Sequence, residues 1–136
     1  MYQKKLKEKS QSPLEYALKL FGGKWSANIF CIIVNHEPIG YNEIKRRIED
    51  ISDPVLSSVL KRLTKHEIIE RKVYNDTLRV EYSVSQKGKE AVPFLQEICK
   101  WFIRYQESEK EIQYDSYCQE CPLLNNAIQK KSRKMQ

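Results

Sequence analysis

At 136 residues the chain has room for one ordinary domain and not for two comfortable ones. Its 24 Lys and Arg against 18 Asp and Glu leave +6, and a 40% hydrophobic content with regular apolar spacing excludes disorder throughout. No apolar run approaches the roughly 18 residues of a membrane span, no hydrophobic segment follows the charged N-terminus as in an export signal, and four cysteines are no disulfide framework; a cytoplasmic protein with reduced thiols is expected.

The first structural cue is Ser12-Pro13-Leu14-Glu15. Ser at the N-cap, Pro in the first turn and Glu three residues on make a capping box, which satisfies orphan amides at a helix start. Leu14, Ala17, Leu18 and Phe21 then recur at helical spacing, and Gly22-Gly23 ends the run. A second helix is predicted over residues 24–34, with Trp25, Ile29, Ile32 and Ile33 on one face. Asn35 to Pro38 breaks it, and Ile39-Gly40-Tyr41 reads as a short extended piece. A brief helix over 42–48 turns Ile44 and Ile48 inward and carries Lys45, Arg46 and Arg47 outside.

The following helix, 53–66, is the informative one. Ser52 is its N-cap and Pro54 sits in the first turn. Val55, Leu56, Val59, Leu60 and Leu63 form one apolar stripe, while Pro54, Ser57, Ser58, Lys61 and Lys65 lie opposite, with Arg62 at the rim. The period then changes from 3.6 to 2: Ile69, Arg71 and Val73 alternate with Glu70, Lys72 and Tyr74, and Val80, Tyr82 and Val84 with Arg79, Glu81 and Ser83. With Asn75 to Leu78 as the turn, this is a β-hairpin. Ser85 opens a last long helix in which Val92, Leu95, Ile98, Phe102 and Tyr105 share a face. The chain therefore divides into a basic tail (1–11), a folded unit (12–106) and an extension (107–136) that is first acidic and then basic.

The fold class expected is mainly α with a small β-hairpin wing, that is, a winged helix-turn-helix. A major groove about 12 Å wide admits one helix, whose outer side chains reach base edges. Ser57 and Ser58 allow close approach, Lys61, Arg62 and Lys65 bind phosphate or guanine acceptors, and Lys24 and Arg46 are candidate phosphate contacts. The wing turn offers Asn75, Thr77 and Arg79 to the neighbouring backbone or minor groove, and Pro54 completes the candidate set. Charge supports this placement better than the total does. Residues 1–11 carry +3 and 125–136 carry +4, leaving −1 between them, yet residues 54–79 hold six basic and three acidic side chains. The tails supply non-specific, salt-sensitive attraction to DNA.

Several strings occur in an order that resembles the HxlR-type transcriptional regulators, relatives of the MarR group: Ser12-Pro13-Leu14-Glu15-Tyr16, Gly22-Gly23-Lys24-Trp25, Tyr41-Asn42-Glu43-Ile44, Ile51-Ser52, Leu60-Lys61-Arg62-Leu63, Ile69-Glu70-Arg71, Val80-Glu81-Tyr82-Ser83-Val84 and Lys87-Gly88. The resemblance covers roughly residues 12–105. It implies a bacterial or archaeal homodimer built from the N- and C-terminal helices, binding double-stranded operator DNA, with repression as the default outcome. Two departures stand out. Many members have Cys-Pro where this chain has Ser12-Pro13, and a serine hydroxyl is no comparable nucleophile near neutral pH, which excludes thiol sensing at that position. The family also commonly has prolines in the wing turn, where Thr77-Leu78 stands here and implies a less rigid wing.

Other residues have plainer readings. Trp25 and Tyr41 are packing residues, since a duplex reader does not need stacking platforms, and His36 and His66 stand at helix ends, where the dipole favours them. Cys31 and Cys99 read as inert packing thiols. Cys118 and Cys121 have a CxxC spacing that supplies half of a four-ligand zinc site; a reversible disulfide is an equal alternative, and no special role is favoured over both. No cofactor is expected, and an effector, whether small molecule, oxidant or metal, is left open. Two other classes compete with a DNA-binding regulator. One is a winged-helix protein-contact module, motivated by the near-neutral body and acidic 107–120 segment. The other is a thiol oxidoreductase, disfavoured because the chain has no phosphate loop, nucleophile elbow or HExxH helix.

Overall fold

The computed structural model describes residues 11–106. In chain order these form α1 (Pro13–Phe21), α2 (Ser26–His36), β1 (Ile39–Gly40), α3 (Tyr41–Arg47), α4 (Asp53–Lys65), β2 (Ile69–Tyr74), β3 (Arg79–Val84) and α5 (Gln86–Tyr105). Hydroxyl caps open three of the helices as expected. Ser12 Oγ accepts from the Glu15 amide at 3.2 Å, Ser52 Oγ from Val55 at 3.4 Å and Ser85 Oγ from Gly88 at 2.9 Å. Helix α2 starts two residues later than its apolar pattern implies, because Gly23, at φ 80°, sets the turn and Trp25 becomes the N-cap.

The hairpin closes in antiparallel register, with Ile69 opposite Val84, Arg71 opposite Tyr82 and Tyr74 opposite Arg79. It is not alone. The two residues of β1 pair with β3, Ile39 opposite Tyr82 and Gly40 opposite Glu81, which makes a three-stranded sheet of order β1-β3-β2. Glu37 reinforces the same edge by accepting from the Val84 amide at 3.0 Å.

The core lies between these layers. Helix α2 is its centre, with Ile29, Phe30, Ile32 and Ile33 all buried. Ile44 of α3, Leu56, Leu60 and Leu63 of α4, Ile68 just before β2, and Ile69 and Val84 of the sheet close around it. Gly88 fixes how α5 enters: a Cβ there would stand 2.2 Å from the Ile68 carbonyl oxygen and 2.8 Å from Val84 Cγ1. Only a residue without a side chain lets the first turn of α5 lie against the sheet.

Two apolar stripes read from the sequence are not covered by the chain's own core. In α1 only Phe21 is buried, where it meets Phe30 edge-on at 5.2 Å, and Leu14 and Leu18 stay exposed. In α5 the buried residues are Gly88, Ala91 and Ile103, while Ile98, Phe102 and Tyr105 of the expected face are exposed, together with Trp101. Cys99 follows Ile98 on this uncovered helix and is exposed, so it does not pack in the chain's own core as expected; Cys31 is half-buried. The two helices meet at Phe21 and Phe94, with ring centroids 5.7 Å apart. Among the described residues no single helix is long and apolar enough to cross a membrane.

Candidate nucleic-acid interface

Helix α4 places its side chains by simple periodicity. Leu56, Val59, Leu60 and Leu63 are buried, which turns Pro54, Ser58, Lys61 and Lys65 outward and leaves Ser57 half-buried. Neither Lys61 nor Lys65 has an ion-pair partner among the described residues. At spacing i, i+4 the two ammonium groups lie on one side of the helix, a turn apart.

The helix is held to α3 by a polar clamp that the sequence reading did not anticipate. Lys45 Nζ donates to Asp53 Oδ1 at 2.8 Å, and the Tyr41 hydroxyl donates to the same oxygen at 2.7 Å. These two donors hold the Asp53 carboxyl below the ordinary value of 3.8, Lys45 contributing most. The Asp53 hydrogen bond raises Lys45, and burial, followed by Asp53, raises Tyr41. All three groups therefore keep the charge states that the clamp needs across the neutral range. Because Asp53 is the first residue of α4, the clamp sets the angle between the two helices of the helix-turn-helix.

Arg62 is in a different position from its lysine neighbours. It donates through Nη2 to Ser26 Oγ, a buried hydroxyl at the start of α2. This ties α4 to the helix behind it. Lys24 lies two residues earlier on the same turn, exposed, with its ammonium 4.7 Å from the centre of the Trp25 ring. Arg46 is exposed on α3 and 3.6 Å from Glu43. In the wing, Tyr74 lies between Lys72 and Arg79, with their charges 4.8 and 4.7 Å from the ring centre, and Arg79 also pairs with Glu81 at 3.1 Å. Asn75, Thr77 and Leu78 are exposed at the tip, and Leu78 takes a left-handed φ of 53°.

Between α4 and the sheet lies a cleft of about 510 Å³. Ser57, Leu60, Lys61, Thr64 and Lys65 form its helical side. Arg71 and Tyr82, cross-strand partners on β2 and β3, face them, and Tyr41 contributes as well. The structure thus gathers Ser57, Lys61 and Lys65 in one place with Arg71, which the sequence reading had only counted toward local charge. Arg71 was hidden because strict alternation put it on the same face as Ile69 and Val73. Among the described residues no cluster of His, Cys, Asp and Glu is arranged to hold a metal; Cys118 and Cys121 lie outside those residues.

A short helix, a second helix clamped to it, a basic outer face and a flanking two-stranded ribbon define a DNA-binding winged helix-turn-helix protein. The comparisons with known proteins agree. The family model described as HxlR-like helix-turn-helix matches residues 20–110, and the chain belongs to that family of transcriptional regulators. It is 36% identical over 108 residues to an uncharacterised HTH-type transcriptional regulator, BH0655, of Halalkalibacterium halodurans, covering 79% of this chain and 96% of the relative. Among solved structures it is similar to the reduced form of the transcriptional regulator YodB of B. subtilis, at 30% identity and a TM-score of 0.65, over 72% of this chain and 97% of YodB. A MarR-family structure from Porphyromonas gingivalis W83 is similar at 33% identity and a TM-score of 0.63, over 71% and 94% of the respective chains. These relatives are regulators, not enzymes.

Proposed function

We propose that this chain is a sequence-specific operator-binding repressor that acts as a homodimer. The observation that carries this reading is the outer face of α4, where Lys61 and Lys65 are exposed and have no ion-pair partner among the described residues, beside the β2–β3 ribbon. Helix α4 enters the major groove, with Ser58 and Pro54 nearest the bases and Ser57, Lys61 and Lys65 toward the backbone. The wing, through Asn75, Thr77 and Arg79, follows the adjacent strand, and Lys24 and Arg46 meet phosphates at its flanks. Arg62 acts by holding α4 against Ser26, so its loss loosens the reading head rather than removing one contact.

Dimerisation supplies the cover that α1 and α5 lack. Leu18 is 56% exposed and Trp101 60% exposed, on helices that already meet at Phe21 and Phe94. Burying two such faces against a second copy brings two α4 helices to successive major grooves, about 34–36 Å apart on one side of the duplex. Transcriptional repression then follows by occlusion of the promoter. The test is a titration of the protein against its own upstream DNA and a shuffled duplex of equal length and composition. Specific binding at least a hundred-fold tighter than to the shuffled duplex is expected, and equal affinity for both would overturn the reading.

A further inference from the structure

We propose that Leu78 is a wedge: the wing inserts it between two base pairs in the minor groove and thereby bends the operator. Two observations single it out, and neither is a charge. Its side chain is 81% exposed, the highest value for a large hydrophobic among the described residues. Its backbone is left-handed, at φ 53°. The other non-glycine residues with positive φ among the described ones, Asp50 and Glu67, are polar. In that conformation Cβ crowds the following carbonyl oxygen, which is why glycine is usual where a hairpin loop turns left-handed. A glycine at this position would relieve the backbone and take apolar surface out of water. For the isolated chain the leucine is unfavourable on both counts.

Its position indicates what it meets. Leu78 closes the turn between β2 and β3, next to Arg79, and Arg79 stands opposite Tyr74 in the ladder. The Tyr74 ring is held between Lys72 and Arg79, at 4.8 and 4.7 Å, which braces the base of the tip. Charge does not bring this ribbon to DNA, since residues 69–84 hold three basic and three acidic side chains. A lone leucine is too small to anchor a protein partner, whose stable interface buries about 800 Å² on each side. It is enough for a wedge. A leucine entering the minor groove unstacks one base step and kinks the duplex toward the major groove, which closes the DNA around α4. Pyrimidine–purine steps unstack most readily, so a TA or CA step is expected under the wing.

This inference rests on the operator-binding reading, and the experiment separates the two. The full chain is bound to circularly permuted fragments of its own promoter, whose mobility in gels reports the bend, and affinity is measured in parallel. The wild type should bend the duplex by at least about 20°. Leu78→Asn, which tolerates the left-handed backbone, should leave the bound DNA nearly straight and lower specific affinity about five-fold, the gain from burying an aliphatic side chain less the cost of unstacking. Its salt dependence should match the wild type because no cation is lost, and its thermal midpoint should not fall. Leu78→Met should keep the bend. Replacing adenine by 2,6-diaminopurine adds an amino group to the minor groove and leaves the major-groove edge unchanged; at the wedged step it should weaken the wild type and not Leu78→Asn. Specific binding without a bend, or an equal bend with Leu78→Asn, would overturn the wedge and leave the operator-binding reading standing. No specific binding by the wild type would overturn both.

Discussion

Replacing Lys61 or Lys65 by Ala removes a charge that the folded chain does not use for its own stability. Both side chains are exposed and without an ion pair among the described residues, so the unfolding free energy should change little, within about 0.5 kcal/mol. DNA binding should respond strongly and in a particular way. Each lysine that neutralises a phosphate adds about 0.9 to the magnitude of the slope of log K against log salt. A symmetric dimer loses the contact twice, so the slope should fall by about 1.8 for either substitution. Between 50 and 200 mM salt, a four-fold change, the wild-type advantage should therefore shrink by about 12-fold. Fluorescence anisotropy on a labelled promoter duplex at five potassium chloride concentrations measures it. An unchanged slope would refute the placement of α4 in the groove, and a fall of only about 0.9 would refute the symmetric dimer.

Three further substitutions test the scaffold. Gly88→Ala should destabilise by about 2 kcal/mol, because the new methyl would stand 2.2 Å from the Ile68 carbonyl oxygen and the collision outweighs the gain in helix propensity; a thermal midpoint that rises would contradict the packing of α5. Leu18→Glu combined with Trp101→Glu should yield monomers in sedimentation analysis with an intact circular dichroism spectrum, whereas an unaltered dimer would place the interface elsewhere. Asp53→Asn tests the clamp through pH. The carboxyl is held below its ordinary 3.8 by Lys45 and Tyr41, so its stabilising effect is complete above that value and is lost as the pH falls through the lowered one. Melting curves should show Asp53→Asn less stable than wild type at neutral pH, with the gap closing below about pH 4; a gap that persists in acid would mean that the charge does not contribute.

What the sequence made legible is local. Ser12, Ser52 and Ser85 marked three helix starts because a cap is decided by its neighbours within one turn. The change of period at Ile69 identified the ribbon for the same reason. Contacts between distant residues were not legible. Nothing in the local pattern pairs Tyr41 with Asp53, or Arg62 with Ser26, 36 positions away. Periodicity also reports that Leu18, Ile98 and Phe102 are apolar without saying what covers them, and the chain's own core does not. Arg71 was misjudged by the same rule, since alternation assigns a face and not a neighbour. The β1 strand was legible only as a short extended piece, because two residues carry no period.

The net charge of +6 turned out to be a poor guide to the interface, since the tails hold more than the whole surplus. The proposed interface rests instead on a few cations, unpaired among the described residues, on a helix whose angle a three-residue clamp fixes. The most direct measurement is a hydroxyl-radical footprint of the full chain on its own promoter. Two protected patches, about 10–10.5 base pairs apart and on one face of the duplex, are expected, with both weakened together by Lys65→Ala. A single patch, protection without a helical repeat, or none at all would contradict a dimer that reads DNA through α4.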